Sequence, residues 1–271
     1  MYPTVSVICT VKNGEETLAS TIKSVENQTY HNWEMIIVDD GSTDGTITIL
    51  KEASEQNSRI KICLTGGVGR GNALNKGVDL ARGHYITILD SDDSIHPKKF
   101  EMQLKVFTTL DNDTFLVSTD NIFIYDDESP RWETISSDTL KYSSLGKRIL
   151  TKNRINHSSV MMRRDPLIKI GKYNSKRNSQ LDYELWLRAH ENGYKMHVLN
   201  APLTAKRIHS NQAFENKKRV KYLYNSATLQ LKYNLKLKTN YHLILLFPIR
   251  MTLGLLPFQA RLHIKKFFNL S

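Results

Sequence analysis

The chain has 271 residues, 40% hydrophobic and 24% charged, with a formal net charge of +11. That length holds one large domain, or one domain and an extension, in an ordinary globular composition. From Ala205 onward thirteen Lys and Arg face one acid, Glu215, and the first 204 residues carry 25 cations against 26 acids, so the body needs no polyanionic partner and nucleic acid is excluded.

In chain order, VSVICTV (Val5–Val11) is short, β-branched and nearly all apolar, the pattern of a buried strand. GEETLASTIKSVENQ follows with Leu18, Ile22 and Val25 at helical spacing. WEMIIVDD is a second buried strand, and GSTDGTITILKEASEQ turns into a helix with Ser42 or Thr43 as its expected N-cap. RIKICLT is a third strand, NALNKGVDLARG a helix with Gly83 as its expected C-cap, and YITILD a fourth strand. HPKKFEMQLKVFTTL reads as a helix. TFLVSTDNIFIYDD and RWETIS read as strands around a turn at Glu128–Pro130, and HSSVMMRRDPL as a strand and turn. SQLDYELWLRAHENGY is an amphipathic helix with Leu181, Leu185, Trp186 and Ala189 inward, and KMHVLNAPLTAKRIH supplies a last strand or two. Cys9 and Cys63 lie in apolar runs and read as reduced core residues of a cytosolic protein. The start shows no basic segment followed by a long apolar one, so no secretory signal is expected.

Strands alternating with helices imply right-handed crossovers and a mainly parallel sheet, whose ligands bind beyond the carboxyl ends of the strands. Thr10, Asp39, Asp40 and the run Asp90-Ser91-Asp92-Asp93 each fall just past a predicted strand. They should gather on one rim. Three carboxylates within four residues repel one another, and a Mg²⁺ or Mn²⁺ ion, which prefers oxygen ligands, relieves the repulsion. Read alone, the run also fits a solvated acidic turn with capping aspartates. Asp40, Ser42 and Asp44 match the opening of a calcium loop, but Lys51 stands where its bidentate Glu belongs. GGVGRGNALNKG resembles a dinucleotide fingerprint, yet Asn72 takes the place of the third Gly. A loop touching a nucleotide or its phosphates, with Arg70 as counter-charge, is the better reading. Asp182 and Glu184 open a helix, which suits the helix dipole and equally a general base beside a cleft. His157 and His209 each follow a strand; His209 is a candidate further metal ligand or phosphate contact.

Three blocks carry a resemblance: VSVICTVKNGEETLASTIKSVENQTYHNWEMIIVDDGSTDGT, GGVGRGNALNKGVDLARGHYITILDSDD and LDYELWLR. Together, over residues 3–210, they resemble glycosyltransferase family 2, of the bacterial surface-polysaccharide type. The resemblance implies an inverting enzyme with the GT-A fold. That fold is an α/β architecture, a mainly parallel central sheet flanked by helices. Residues 1–95 would form its Rossmann-like nucleotide-sugar half, residues 96–210 an irregular α+β acceptor half, and 211–271 a basic helical extension. It implies that Thr10 and Glu16 lie near the nucleoside, that Asp40 with Asp39 reads the base, and that Arg70, Asn75 and Asp90 complete the nucleotide site. Asp92 and Asp93, with His209, would hold Mn²⁺ or Mg²⁺, and Asp182 would be the catalytic base. The expected donor is a UDP-sugar and the expected acceptor a glycan or lipid-linked hydroxyl. The Gly-rich start of GGVGRGNALNKG departs from the family pattern and leaves the role of Arg70 open. A nucleotidyltransferase and a non-catalytic binding module are the competing readings. The apolar, cationic tail fits a peripheral contact with the inner face of the cell membrane, packing on its own domain, or a homodimer contact.

Overall fold

A computed structural model describes residues 3–126, 128–135, 140–208 and 219–239. The chain divides into two compact units, residues 1–146 with 154–208, and residues 147–153 with 209–271.

The first unit opens with β1 (Val5–Val11), α1 (Leu18–Glu26), β2 (Trp33–Asp39), α2 (Thr46–Gln56), β3 (Ile60–Leu64), α3 (Arg70–Leu80) and β4 (Tyr85–Ile88). The apolar runs read from the sequence become these strands because both faces of the sheet are covered, and every residue of β2 is buried. The four strands pair in parallel, with β1 between β2 and β4 and β3 outside β2. Their carboxyl ends therefore meet at one edge.

The second part holds β5 (Ser94–Ile95), α4 (Lys99–Phe107), β6 (Thr114–Tyr125), β7 (Tyr142–Ser144), β8 (Met161–Arg163), α5 (Arg164–Lys169), α6 (Leu181–Glu191) and β9 (Lys195–Ile208). The sheet runs β3-β2-β1-β4-β8-β6-β9-β5, with β7 paired to β9. Here the directions mix: β8 is antiparallel to β4 and β6, β9 is parallel to β6, and β5 and β7 are antiparallel to β9. The pairing of β6 with β9 shifts register around Thr119–Asn121, an irregularity of the kind at which a strand bends and its side chains are re-aimed. Leu185, Trp186 and Ala189 of α6 are fully buried, as their spacing predicts.

Three local expectations change. Arg131–Ile135 forms no strand. Helix α2 is capped at Gly45 rather than at Ser42 or Thr43; Asp44 instead accepts bonds from the Thr46 amide (3.1 Å) and hydroxyl (2.5 Å). Helix α3 ends at Ala81, and Gly83 has another reason to be glycine: a Cβ there would sit 2.7 Å from the Ser6 amide. Its role is close approach to β1.

In the second unit α7 (Arg219–Lys236) buries Leu229 and Tyr233, and Asn234 Nδ2 donates to the Leu150 carbonyl at 3.0 Å. Among the described residues no helix is long and apolar enough to cross a membrane.

Candidate active site

The acidic turn after β4 is held from three sides. The Asp93 amide donates to the Asp90 carbonyl at 3.1 Å, closing the turn. From Thr17, just before α1, the hydroxyl donates to the Ser91 carbonyl (2.9 Å), and within α1 the Thr21 hydroxyl donates to the Asp93 carbonyl (2.8 Å). From β9, Arg207 donates its amide to Asp93 Oδ1 (3.0 Å) and its Nε to the Asp92 carbonyl (3.1 Å). The turn is thus fixed before any ligand arrives.

Asp90, Asp92 and Asp93 each offer a carboxylate oxygen, and these atoms lie within 4.8 Å of one another. Asp93 is buried, and its Oδ2 has no hydrogen-bond partner among the described residues. Burial first, then the charges of Asp90 and Asp92, push its carboxyl up to about 8. Asp90 goes the other way. Burial raises it, but Arg70, His157 and Lys206 together hold it below the usual carboxylate range. An all-oxygen set with one orphaned buried oxygen fits a hard divalent cation such as Mg²⁺ or Mn²⁺.

Arg70 opens α3 and its Nη2 lies 2.5 Å from Asp90 Oδ1 and 3.4 Å from His157 Nδ1. A guanidinium only donates, so His157 Nδ1 accepts and its Nε2–H donates to the Tyr173 hydroxyl, 2.8 Å away. Burial lowers the His157 pKa, which keeps the ring neutral. Asp182, in the first turn of α6, acts electrostatically on Arg70, His157 and Tyr173, and Asp90 acts on the same three. Two acids from segments about ninety residues apart therefore share one cluster.

The residues expected around the nucleotide fall as follows. Asp40 Oδ1 accepts from the Thr65 hydroxyl (2.9 Å) and the Val68 amide (2.6 Å), and Oδ2 from the Gly69 amide (2.9 Å). Asp40 thereby holds the glycine-rich loop that delivers Arg70, and Oδ2, with one donor, keeps acceptor capacity. Asp39 Oδ1 accepts from the Gly41 and Ser42 amides, both at 3.1 Å. Gly41 has φ +83°, and a Cβ on it would lie 3.1 Å from the Gly67 amide, so the turn and the loop approach requires glycine. Thr10 lies near the end of β1, opposite Val38. Glu16 is exposed, while its neighbour Glu15 accepts from the Gly45 amide at 2.6 Å. Asn75 exchanges two bonds with the Tyr173 backbone (2.8 and 2.9 Å), so its amide positions Tyr173. His209 lies outside the described residues.

Sequence reasoning passed over Ser158, whose hydroxyl accepts from the Asp90 amide (3.1 Å), and Arg207. It also passed over Gln180, which sits in the left-handed region (φ 56°) just before α6. Gln180 is 5% exposed, and neither its amide N nor its O has a partner among the described residues. No local pattern marks these residues, and the partners of Ser158 and Arg207 lie far along the chain.

This fold, with an acidic rim at the carboxyl ends of a parallel sheet, is the GT-A fold of glycosyltransferases. The model of the family described as Glycosyl transferase family 2 matches residues 6–171. The chain belongs to glycosyltransferase family 2, and it is a transferase. It is 30% identical over 275 residues to the putative glycosyltransferase EpsE of Bacillus subtilis, covering 98% of this chain and 95% of that one. It is 31% identical over 217 residues to the putative teichuronic acid biosynthesis glycosyltransferase TuaG of the same organism (79% and 83%). Solved structures share the fold at low identity. Staphylococcus aureus TarS 1–349 in complex with UDP-GlcNAc aligns with a TM-score of 0.65 at 17% identity, over 84% of this chain and 66% of that one. A Pyrobaculum calidifontis mannosyltransferase in complex with GDP-Man and Mn²⁺ gives 0.64 at 16% identity (86% and 65%). The chain spans just under two thirds of those solved chains.

Proposed function

We propose that the protein transfers a sugar from a nucleotide-sugar donor to a hydroxyl acceptor by a single, inverting displacement. The observation that carries this reading is the shared cluster of Asp182, Arg70, His157, Tyr173 and Asp90 beside a carboxylate set within 4.8 Å. Asp92 and Asp93 hold a divalent cation, Mn²⁺ or Mg²⁺. When bound, that ion stabilises the negative charge of the departing nucleoside diphosphate. Arg70 adds a second, fixed positive charge at the same rim. Asp40 Oδ2 and the loop it holds face the base, with Asp39 shaping the turn beneath. Asp182 takes the proton from the acceptor hydroxyl as that oxygen attacks the anomeric carbon from the face opposite the leaving group.

The acceptor lies over the second part of the sheet. Phe123 and Tyr125 of β6 are more than half exposed, in register with Lys206 and Ile208 of β9. Flat apolar rings there suit the face of a sugar, and the charge of Lys206 acts on Asp90 and His157. The names of EpsE and TuaG and the donors bound by the solved neighbours support a UDP- or GDP-linked donor and a place in surface-polysaccharide assembly. A lipid-linked acceptor at the inner face of the membrane suits the basic tail, whose residues 240–271 lie outside the described ones.

A thermal-shift panel of nucleoside diphosphates and sugar nucleotides with Mn²⁺ tests the reading, since a ligand that binds the native state alone raises its melting point. One nucleoside diphosphate should stabilise in the presence of Mn²⁺ and not in EDTA. No stabilisation by any of them would remove the proposed donor site, and release of pyrophosphate from the donor would favour a nucleotidyltransferase.

A further inference from the structure

At the opposite edge of the same sheet, the amino ends of β1, β2 and β3 surround a cavity of about 530 Å³. At ~3.3 Å per residue a seven-residue strand separates the two edges by roughly 20 Å, so this cavity is remote from the catalytic rim. Its lining includes His31, Trp33, Glu34, Arg59, Lys61 and Arg82. We propose that it binds a phosphate-bearing anion.

The argument begins with charge. Glu34 is 4% exposed and accepts from the Ser6 hydroxyl (2.7 Å), the Arg82 amide (2.7 Å) and Lys61 Nζ (2.5 Å). That carboxylate and Lys61 neutralise each other. The Arg59 and Arg82 guanidiniums have no acid within ion-pair distance among the described residues, which leaves an excess of two positive charges on the cavity wall.

The second part is preorganisation. The Arg59 guanidinium lies 3.8 Å over the centroid of the Trp33 ring. Its Nε donates to Asn57 Oδ1 (3.3 Å) and its Nη1 to the His31 carbonyl (3.2 Å). A planar fork stacked and tethered in this way presents its remaining N–H groups at little entropic cost, and such forks match phosphate oxygens. The third part is an unmet donor. Trp33 is 2% exposed, lines the cavity, and its indole N–H has no partner among the described residues. Buried donors are rarely left unpaired without a reason. The volume falls within the roughly 300–1,000 Å³ usual for small-ligand sites.

The same chemistry could come from a soluble phosphate or a phospholipid headgroup, and two arms separate them. In the first, the full chain in EDTA is titrated with sodium pyrophosphate by calorimetry. Without a cation, the carboxylates of the catalytic rim repel this probe. In the second, flotation is compared with phosphatidylglycerol and phosphatidylcholine vesicles. Both use wild type, the Arg59→Ala/Arg82→Ala double variant and Asp92→Asn. The expected result is one saturable site whose affinity falls about tenfold or more in the double variant, which loses two charge-assisted contacts, and is unchanged in Asp92→Asn. Arg59→Lys keeps the charge without the fork, and should bind more weakly at an unchanged melting temperature. Phosphatidylglycerol flotation lost in the double variant would name a lipid headgroup as the source. Pyrophosphate binding lost with flotation unchanged would name a soluble phosphate. Absence of both responses, or responses the double variant retains in full, overturns the assignment.

Discussion

The two edges of one sheet carry opposite imbalances. At the carboxyl edge Asp90, Asp92 and Asp93 crowd together, and Arg70 pairs directly with Asp90. At the amino edge one buried acid, Glu34, faces Lys61, Arg59 and Arg82. Neither imbalance serves the fold, because a pair of equal and opposite charges would be more comfortable in both places. Like charges held rigidly together are the reason a cation is proposed at one edge and an anion at the other.

The largest effect should come from the acid of the carboxyl edge that stands outside the acidic turn. Asp182→Asn should keep donor binding and lower transfer by about 10²–10⁴-fold, the range typical of a lost general base. Calorimetry with the donor and a transfer assay on the same sample separate the two. Wild-type turnover by this variant would remove Asp182 from the chemistry. Next comes Asp92→Ala. Loss of the proposed cation ligand should weaken Mn²⁺-dependent donor binding by at least the ~10–100-fold seen when groups one step further out are removed. Donor binding that is equal with Mn²⁺ and with EDTA in wild type would break the acidic half of the comparison.

One buried acid at each edge, Glu34 and Asp93, should also respond to pH with opposite sign. Burial raises Glu34, but Lys61, the Arg82 amide and Ser6 more than offset it and hold it below its ordinary 4.5. Its contribution is present above pH 4.5 and lost as pH falls through the lower folded value. Asp93 is raised from 3.8 to about 8. In EDTA the native state keeps a proton across that window which the unfolded chain releases, so the Asp93 contribution to stability should decline as pH rises from about 4 to about 8. Urea midpoints across pH 3–9 test both. Glu34→Gln should remove the acid-side loss, while Asp93→Asn, or Mn²⁺ with wild type, should flatten the decline. Profiles that superimpose for all three proteins would show that neither edge is strained.

Much of the carboxyl edge was readable in advance, because it depends on short-range patterns. Apolar runs set β1 to β4, and an acid just past a parallel strand has to lie at the rim. The amino edge was not readable, since Glu34, Arg59 and Arg82 look like scattered surface charges until β2 and β3 pair. The same holds for β6 and β9, parallel partners about eighty residues apart with register shifts between them. Arg207 and Ser158 reach the acidic turn from segments over sixty residues away, and nothing local points at such partners. Gly83 shows the converse error: a helix followed by glycine invites a C-cap, but the close approach to Ser6 requires that glycine.

Gln180 extends the comparison from charge to hydrogen bonding and carries the smallest expected effect. Among the described residues its buried amide leaves a donor and an acceptor unmet, two residues before Asp182, on a backbone that L-residues adopt reluctantly. If an unmet group marks a ligand, its removal should help the free protein and harm the reaction. Gln180→Leu keeps the approximate volume and removes both polar atoms. It should raise stability by about 1 kcal/mol, the lower end of the cost of such orphans, and reduce transfer while leaving Mn²⁺-dependent donor binding in place. A variant that is less stable and equally active would mean that Gln180 is held by packing alone, and that unmet hydrogen bonds at this edge do not report on substrate.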